Sequence, residues 1–143
     1  MLSENQFAYR KGLGMENAVT KLMNYINEYK EKNRHVVLIS FDISGAFDRV
    51  SWSSIHQSLT TKLVPNTLIT IIRSFLVNRT IGHYNDNDKV ITNREICCGV
   101  PQGSILGPCL FNIVMTNVHK IPYSKELEII NYADDIILVA GIN

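Results

Sequence analysis

Charge is scarce in this sequence, and neither sign dominates. Lys and Arg number 14 against 13 Asp and Glu, a formal charge of +1, and charged residues make up only 19% of the 143. Near-neutrality neither shows nor excludes a polymeric anion as substrate, because basic patches and metal-binding acids cancel in the total. Cysteines are few: Cys97, Cys98 and Cys109 do not pair evenly, which argues against a disulfide framework. His35, His56, His83 and His119 lack zinc-site spacing with them, so lone surface or packing histidines are expected. No signal peptide, apolar run of transmembrane length, repeat or low-complexity tract is visible, and the expectation is a reduced intracellular setting with no membrane partner. What is present is 45% hydrophobic residues, which excludes a disordered chain and gives one domain enough apolar material for a core.

Periodicity sets out the elements. Residues 1–15 read as a loop or short strand, in which Arg10 and Lys11 could meet a phosphate or simply be solvated. From Glu16 to about Lys32, Val19, Leu22, Met23, Ile26 and Tyr29 recur at the helical period. The run His35 to Asp42 is almost continuously apolar, as in a strand covered on both faces. A helix capped by Ser51 or Ser53 runs through Leu59 and Leu63, and a second one follows Pro65 with an apolar stripe from Leu68 to Leu76. Arg73 and Arg79 are expected near solvent. A hairpin joins Thr80–His83 to Val90–Cys97 through Tyr84–Lys89, whose Asp86 and Asp88 lack the ligand pattern of a calcium loop. Gly99 to Pro108 then forms a glycine-rich loop in which Ser104 can cap a helix carrying Leu110, Phe111, Ile113, Val114 and Val118, closed by Pro122 and Ser124. Gln102 offers that loop both a donor and an acceptor.

The richest stretch is Ile129 to Val139, where two apolar, strand-favouring runs flank Asn131-Tyr132-Ala133-Asp134-Asp135. A tight hairpin there puts two adjacent carboxylates at its tip. They repel unless a cation or proton relieves them, although Asp also simply favours turns. Asp42 closes the earlier apolar strand. If that strand lies centrally, beside the hairpin and in matching register, three carboxylates converge where two Mg²⁺ ions could bridge them for in-line nucleotidyl transfer. The alternative is that Asp42 merely caps the next turn. Asp48, several residues beyond, has a structural alternative in bonding to backbone or to Arg49.

These residues resemble the reverse transcriptases, especially those of retrotransposons without long terminal repeats. Phe41-Asp42-Ile43-Ser44-Gly45-Ala46-Phe47-Asp48 resembles the first palm motif of the family, Gly99 to Pro108 the second, and Tyr132-Ala133-Asp134-Asp135 the catalytic hairpin. Gln6 to Gly12 resembles the segment preceding the palm. The resemblance implies an α+β fold: part of a right-hand polymerase palm, with an antiparallel sheet and packed helices. It implies catalytic roles for Asp42, Asp134 and Asp135, and metal ligation by Asp42, Asp134, Asp135 and the carbonyl of Ile43, with two Mg²⁺ ions, or Mn²⁺ in their place. Phe47 matches the aromatic beneath the incoming sugar, Gln102 the residue near nucleotide and template, and Gly103 a point of polymer approach. Tyr132 matches a primer-supporting residue, and Arg10 is a phosphate candidate on the nucleotide. Phe47 read without the family is a core aromatic, and Tyr132 a strand tyrosine packed on the sheet.

The expected partners are an RNA template, a DNA primer and deoxyribonucleoside triphosphates, in nucleus or cytoplasm. By resemblance the sequence covers residual fingers and palm over residues 1–143, without most of the fingers, the later palm segments, the thumb or an endonuclease. The expectation is therefore an RNA-directed DNA polymerase fragment, inactive by itself. The competing expectations are an inert retroelement remnant and an RNA-binding, maturase-like module.

Overall fold

The computed structural model describes residues 2–84, 90–121, 124 and 126–143. The chain divides into two compact units, one formed by Met1–Ser44 with Met115–Asn143 and the other by Gly45–Val114.

The first unit is built on a three-stranded antiparallel sheet. Its strands are β1 (His35–Asp42), β4 (Leu127–Tyr132) and β5 (Asp135–Ile142), in the order β1-β5-β4. Helix α1 (Met15–Glu31) lays Ala18, Leu22, Tyr25, Ile26 and Tyr29 against Val36, Ile130 and Val139, and this apolar contact is the core of the unit. Asn17 Oδ1 accepts the amide of Gly14 at the start of the helix, 2.8 Å away. At its end Asn33 takes φ 54°, while Arg34 N donates to Tyr29 O and Asn33 N to Lys30 O, the paired bonds of a Schellman motif. Gly141 leaves room for the Tyr29 ring, since a Cβ there would lie 2.5 Å from Tyr29 Cδ1.

The N-terminal segment joins this sheet through a parallel bridge between Gln6 and Asn131. Gln6 is completely buried, as are Phe7 and Ala8 nearly so. The opposite edge belongs to β1, and here the expected burial is corrected. Among its residues only Val36 is half-buried, while Leu38 and Phe41 are each 49% exposed. The central strand is β5, not β1. A continuous apolar run specifies a strand that wants cover on both faces, but position in the sheet decides whether described residues supply it.

In the second unit the short helix α2 (Ala46–Arg49) leads into α3 (Trp52–Thr61) and α4 (Asn66–Leu76). Ile55, Leu59, Ile69 and Leu76 of the latter pair are buried, and the two helices line an open apolar pocket of about 270 Å³ that Trp52 and Ile72 also border. Ser51 occupies the cap position of α3, but its hydroxyl bonds Ser53 Oγ rather than the backbone. Strands β2 (Thr80–Tyr84) and β3 (Val90–Glu95) pair as an antiparallel hairpin. The expected turn acids Asp86 and Asp88 lie outside the described residues. Helix α5 (Leu106–Met115) begins after the glycine-rich loop, where Ser104 Oγ accepts the amide of Gly107 at 3.0 Å. It ends before Val118, which instead opens a 3-10 turn (Val118–Lys120). Thr116, just beyond the helix and already part of the first unit, bonds Gln6 Oε1 of that same unit through its hydroxyl.

Candidate active site

The last turn of the sheet is set by pairing. Tyr132 stands opposite Asp135 across β4 and β5, so Ala133 and Asp134 form a two-residue hairpin turn. Ala133 has φ 55°, a left-handed conformation that a residue with a Cβ adopts at a cost. Asp42, the final residue of β1, stands opposite Asp135. Directly paired residues send their side chains to the same face of a sheet, so Asp42 and Asp135 share one face while Asp134 projects from the adjoining turn. Adjacent placement and matching register are thus both present.

Asp42 and Asp135 are exposed and Asp134 is half-buried. None of the three carboxylates has a hydrogen bond or ion pair with a described residue, which leaves their oxygens available to a cation. Carboxylate oxygen is the donor type that Mg²⁺ and Mn²⁺ prefer, so the set fits in chemistry. Its side chains are not drawn together: among the described residues no group of three or more His, Cys, Asp or Glu side chains lies close enough to hold one ion. Ile43, half-buried, follows Asp42 directly out of the strand.

Tyr132 is half-buried against the core of the first unit. With Asp135, Ser40 and Ile137 from the sheet and Met15 and Val19 from α1, it borders an apolar pocket of about 190 Å³. Arg10 Nη1 donates to the carbonyls of Ser3 and Gln6, both at 2.7 Å, so part of the guanidinium ties down its own loop.

The remaining expected site residues belong to the second unit. Phe47 is half-buried and stacks on Phe111, ring centroids 4.6 Å apart. Gln102 Nε2 donates to Asp48 Oδ1 at 3.3 Å, giving Asp48 a partner other than Arg49. Gly103 has φ 79°, and a Cβ there would meet nothing within 4 Å. The turn conformation, rather than crowding by protein, is what asks for glycine at that position. Gly99 differs, because a Cβ there would lie 2.5 Å from the Asp48 carbonyl oxygen. Gly99 N donates to Val50 O and Val100 N to Phe47 O, which stitches the glycine-rich loop to the segment carrying Phe47 and Asp48.

Two supporting networks escaped the sequence. Arg79, expected near solvent, is half-buried. Its Nη2 donates to Gly99 O at 2.8 Å, its Nε to Leu76 O, and its guanidinium lies over the Trp52 ring. Trp52 Nε1 donates to the same Gly99 carbonyl, and this shared acceptor explains the correction. Beneath the acidic hairpin, buried Asn131 donates Nδ2 to Ala133 O at 3.3 Å, and its Oδ1 lies 2.6 Å from His119 Nε2. A polar residue at an inward position of an apolar strand was the available signal. Burial lowers the pKa of His119 from its ordinary value, with the Asn131 bond and Glu128 acting against that shift.

A model of the reverse transcriptase (RNA-dependent DNA polymerase) family matches residues 1–142. The RNA-directed DNA polymerase from mobile element jockey of Drosophila melanogaster is 33% identical over 138 residues, covering 91% of this chain and 14% of that protein. The probable RNA-directed DNA polymerase from transposon BS of the same species is 29% identical, covering 100% of this chain and 16% of that protein. The chain therefore spans about one seventh of the length of these curated relatives. Among solved structures, apo telomerase from Candida tropicalis superposes with a TM-score of 0.74 at 14% identity, covering 95% of this chain and 28% of that one. The fold is that of a polymerase palm, and the chain belongs to the reverse transcriptase family.

Proposed function

We propose that this chain is the catalytic palm portion of an RNA-directed DNA polymerase from a retroelement without long terminal repeats. On this reading it extends a DNA primer with deoxyribonucleoside triphosphates along an RNA template, in the nucleus or cytoplasm. The observation that carries the reading is the pairing of Asp42 with Asp135 beside a turn holding Asp134. Three carboxylates without described partners around one end of the sheet suit divalent cations, and the likeness to the RNA-directed DNA polymerase of jockey and the probable one of BS supports that use.

Asp42 and Asp134, with the Ile43 carbonyl, would hold two Mg²⁺ or Mn²⁺ ions, and Asp135 would support them. Such a pair, when bound, activates the primer hydroxyl and stabilises the departing pyrophosphate. Phe47 limits the space under the sugar, Gln102 contacts nucleotide and template, Gly103 admits the polymer, and Tyr132 steadies the primer end. Arg10 contributes to phosphate binding through the guanidinium nitrogens its loop does not use.

Primer extension by the full polymerase carrying this chain, on a homopolymeric RNA template with Mg²⁺, tests the activity. Products that vanish on Asp134→Asn substitution are expected, and products unaffected by it would remove the assignment. Mn²⁺ titration of the 143-residue chain tests the ions separately, with paramagnetic broadening expected first at Asp42, Asp134 and Asp135.

A further inference from the structure

We propose that Asn131 is a positioning residue for the catalytic turn, donating its side-chain amide to the Ala133 carbonyl while His119 holds that amide in place. The inference rests on the polymerase reading for its consequence, but its geometry stands apart from it.

Asn131 is 1% exposed, between apolar neighbours in β4. A β-branched apolar residue would suit a buried strand position better, so a buried amide needs its hydrogen bonds. The backbone at this point needs no help from the side chain: Asn131 N donates to Asn5 O at 2.9 Å, and Phe7 N donates to Asn131 O at 3.1 Å. The side chain instead reaches past Tyr132 to the first residue of the turn, 3.3 Å from Nδ2 to Ala133 O. That residue is the one held at φ 55°. A hydrogen bond to its carbonyl fixes the peptide plane joining Ala133 to Asp134, and with it the direction in which Asp134 leaves the turn.

The amide can face only one way. A carbonyl accepts, so the group beside Ala133 O must be the NH₂, and Oδ1 is left toward His119 Nε2 at 2.6 Å. Oδ1 also only accepts, so Nε2 carries the proton. His119 Nδ1 is then the bare nitrogen, buried with no partner among the described residues. Protonating it would bury an N–H without an acceptor, and the neutral Nε2–H tautomer follows. The charged groups acting on the imidazole are Glu128 of β4 and Lys21 of α1, and burial outweighs both in holding it neutral. Glu128 is itself engaged by Asn5 Nδ2.

Three variants of the full polymerase separate positioning from stability. Asn131→Asp keeps an acceptor for His119 but cannot donate to Ala133. Its kcat is expected to fall by about 10–100-fold with nucleotide KM little changed, the pattern of misplaced reacting groups. His119→Gln retains a donor for Oδ1 and is expected to keep activity near the parent's, whereas His119→Leu falls with Asn131→Asp. If Asn131→Asp does not fold, the Gln and Leu pair decides. On the 143-residue chain, imidazole ¹⁵N shifts read the relay without any turnover: the Nε2–H tautomer is expected in the parent, and a higher His119 pKa in Asn131→Asp. Parental kcat in a folded Asn131→Asp protein, equal kcat in the Gln and Leu variants, or an Nδ1–H imidazole would overturn the proposal. A parent polymerase that extends no primer would count against the polymerase reading instead, with the imidazole spectrum still deciding the relay.

Discussion

Asp42 and Asp135 occupy directly opposed positions on adjacent antiparallel strands, although they lie 93 positions apart in the sequence. Opposed like charges destabilise a strand pair unless something neutralises them. A divalent cation bound at the end of β1 would neutralise such a pair.

Replacing these acids should therefore separate function from folding. In the full polymerase, Asp42→Asn or Asp134→Asn is expected to lower primer extension by roughly 100-fold or more, since a metal's stabilisation of the transition state amounts to several kcal/mol. Unfolding midpoints should hold in both, with any rise confined to Asp42→Asn, which alone of the two removes a charge opposed across the strands. Asp135→Asn should retain more activity. Near-normal extension by Asp134→Asn, with unchanged Mg²⁺ dependence, would refute the ligand assignment.

Ala133 offers a test of the turn itself. Its φ of 55° suits glycine, and relieving a left-handed alanine is worth about 1 kcal/mol. Ala133→Gly should raise the urea midpoint and Ala133→Val should lower it. A lower midpoint for the glycine variant would show that the turn depends on the buried methyl group more than on backbone freedom.

The elements and the acidic turn were legible in sequence because they rest on local signals. The apolar run from His35 to Asp42 and the flanks of Asp134-Asp135 identified their strands, and Asn131 to Asp135 identified a tight turn. What sequence could not supply was tertiary placement. The edge position of β1, the Gly99 carbonyl shared by Trp52 and Arg79, and the amide of Asn131 beneath Ala133 depend on residues distant in the chain. Helix α5 shows the same limit, since apolar residues continue past Met115 while the helix does not.

One substitution separates the packing of Phe47 from the role proposed for it. Its stacking on Phe111 means Phe47→Ala removes core contact, at up to about 3 kcal/mol for a half-buried ring. The proposed role beneath the sugar means the same change should relax discrimination against ribonucleotides. Insertion efficiencies for matched deoxyribonucleotides and ribonucleotides give the ratio, and an unchanged ratio in a less stable protein would leave Phe47 a packing residue alone.

Strand β1 predicts the behaviour of the 143-residue chain on its own. Val37, Leu38, Ile39 and Phe41 are exposed on an edge strand, a template for pairing with other chains. Self-association is expected, reduced by the double change Val37→Lys and Ile39→Lys. Light scattering that stays at the monomer value for the parent would contradict this.

Acid should weaken the fold through His119. Burial, the largest influence, lowers its pKa below the ordinary 6.5, the Asn131 bond and Glu128 oppose the shift, and Lys21 adds to it. The unfolded chain then binds a proton in a range where the folded chain does not. Stability accordingly increases with pH across that range. The contribution is complete above 6.5 and is lost as pH falls through the lower folded value. Urea midpoints measured at about pH 7.5 and about pH 5.5 should differ more in the parent than in His119→Gln, which cannot titrate and still donates to Asn131. Equal differences in the two proteins would assign the acid sensitivity to other groups and leave the imidazole without a part in it.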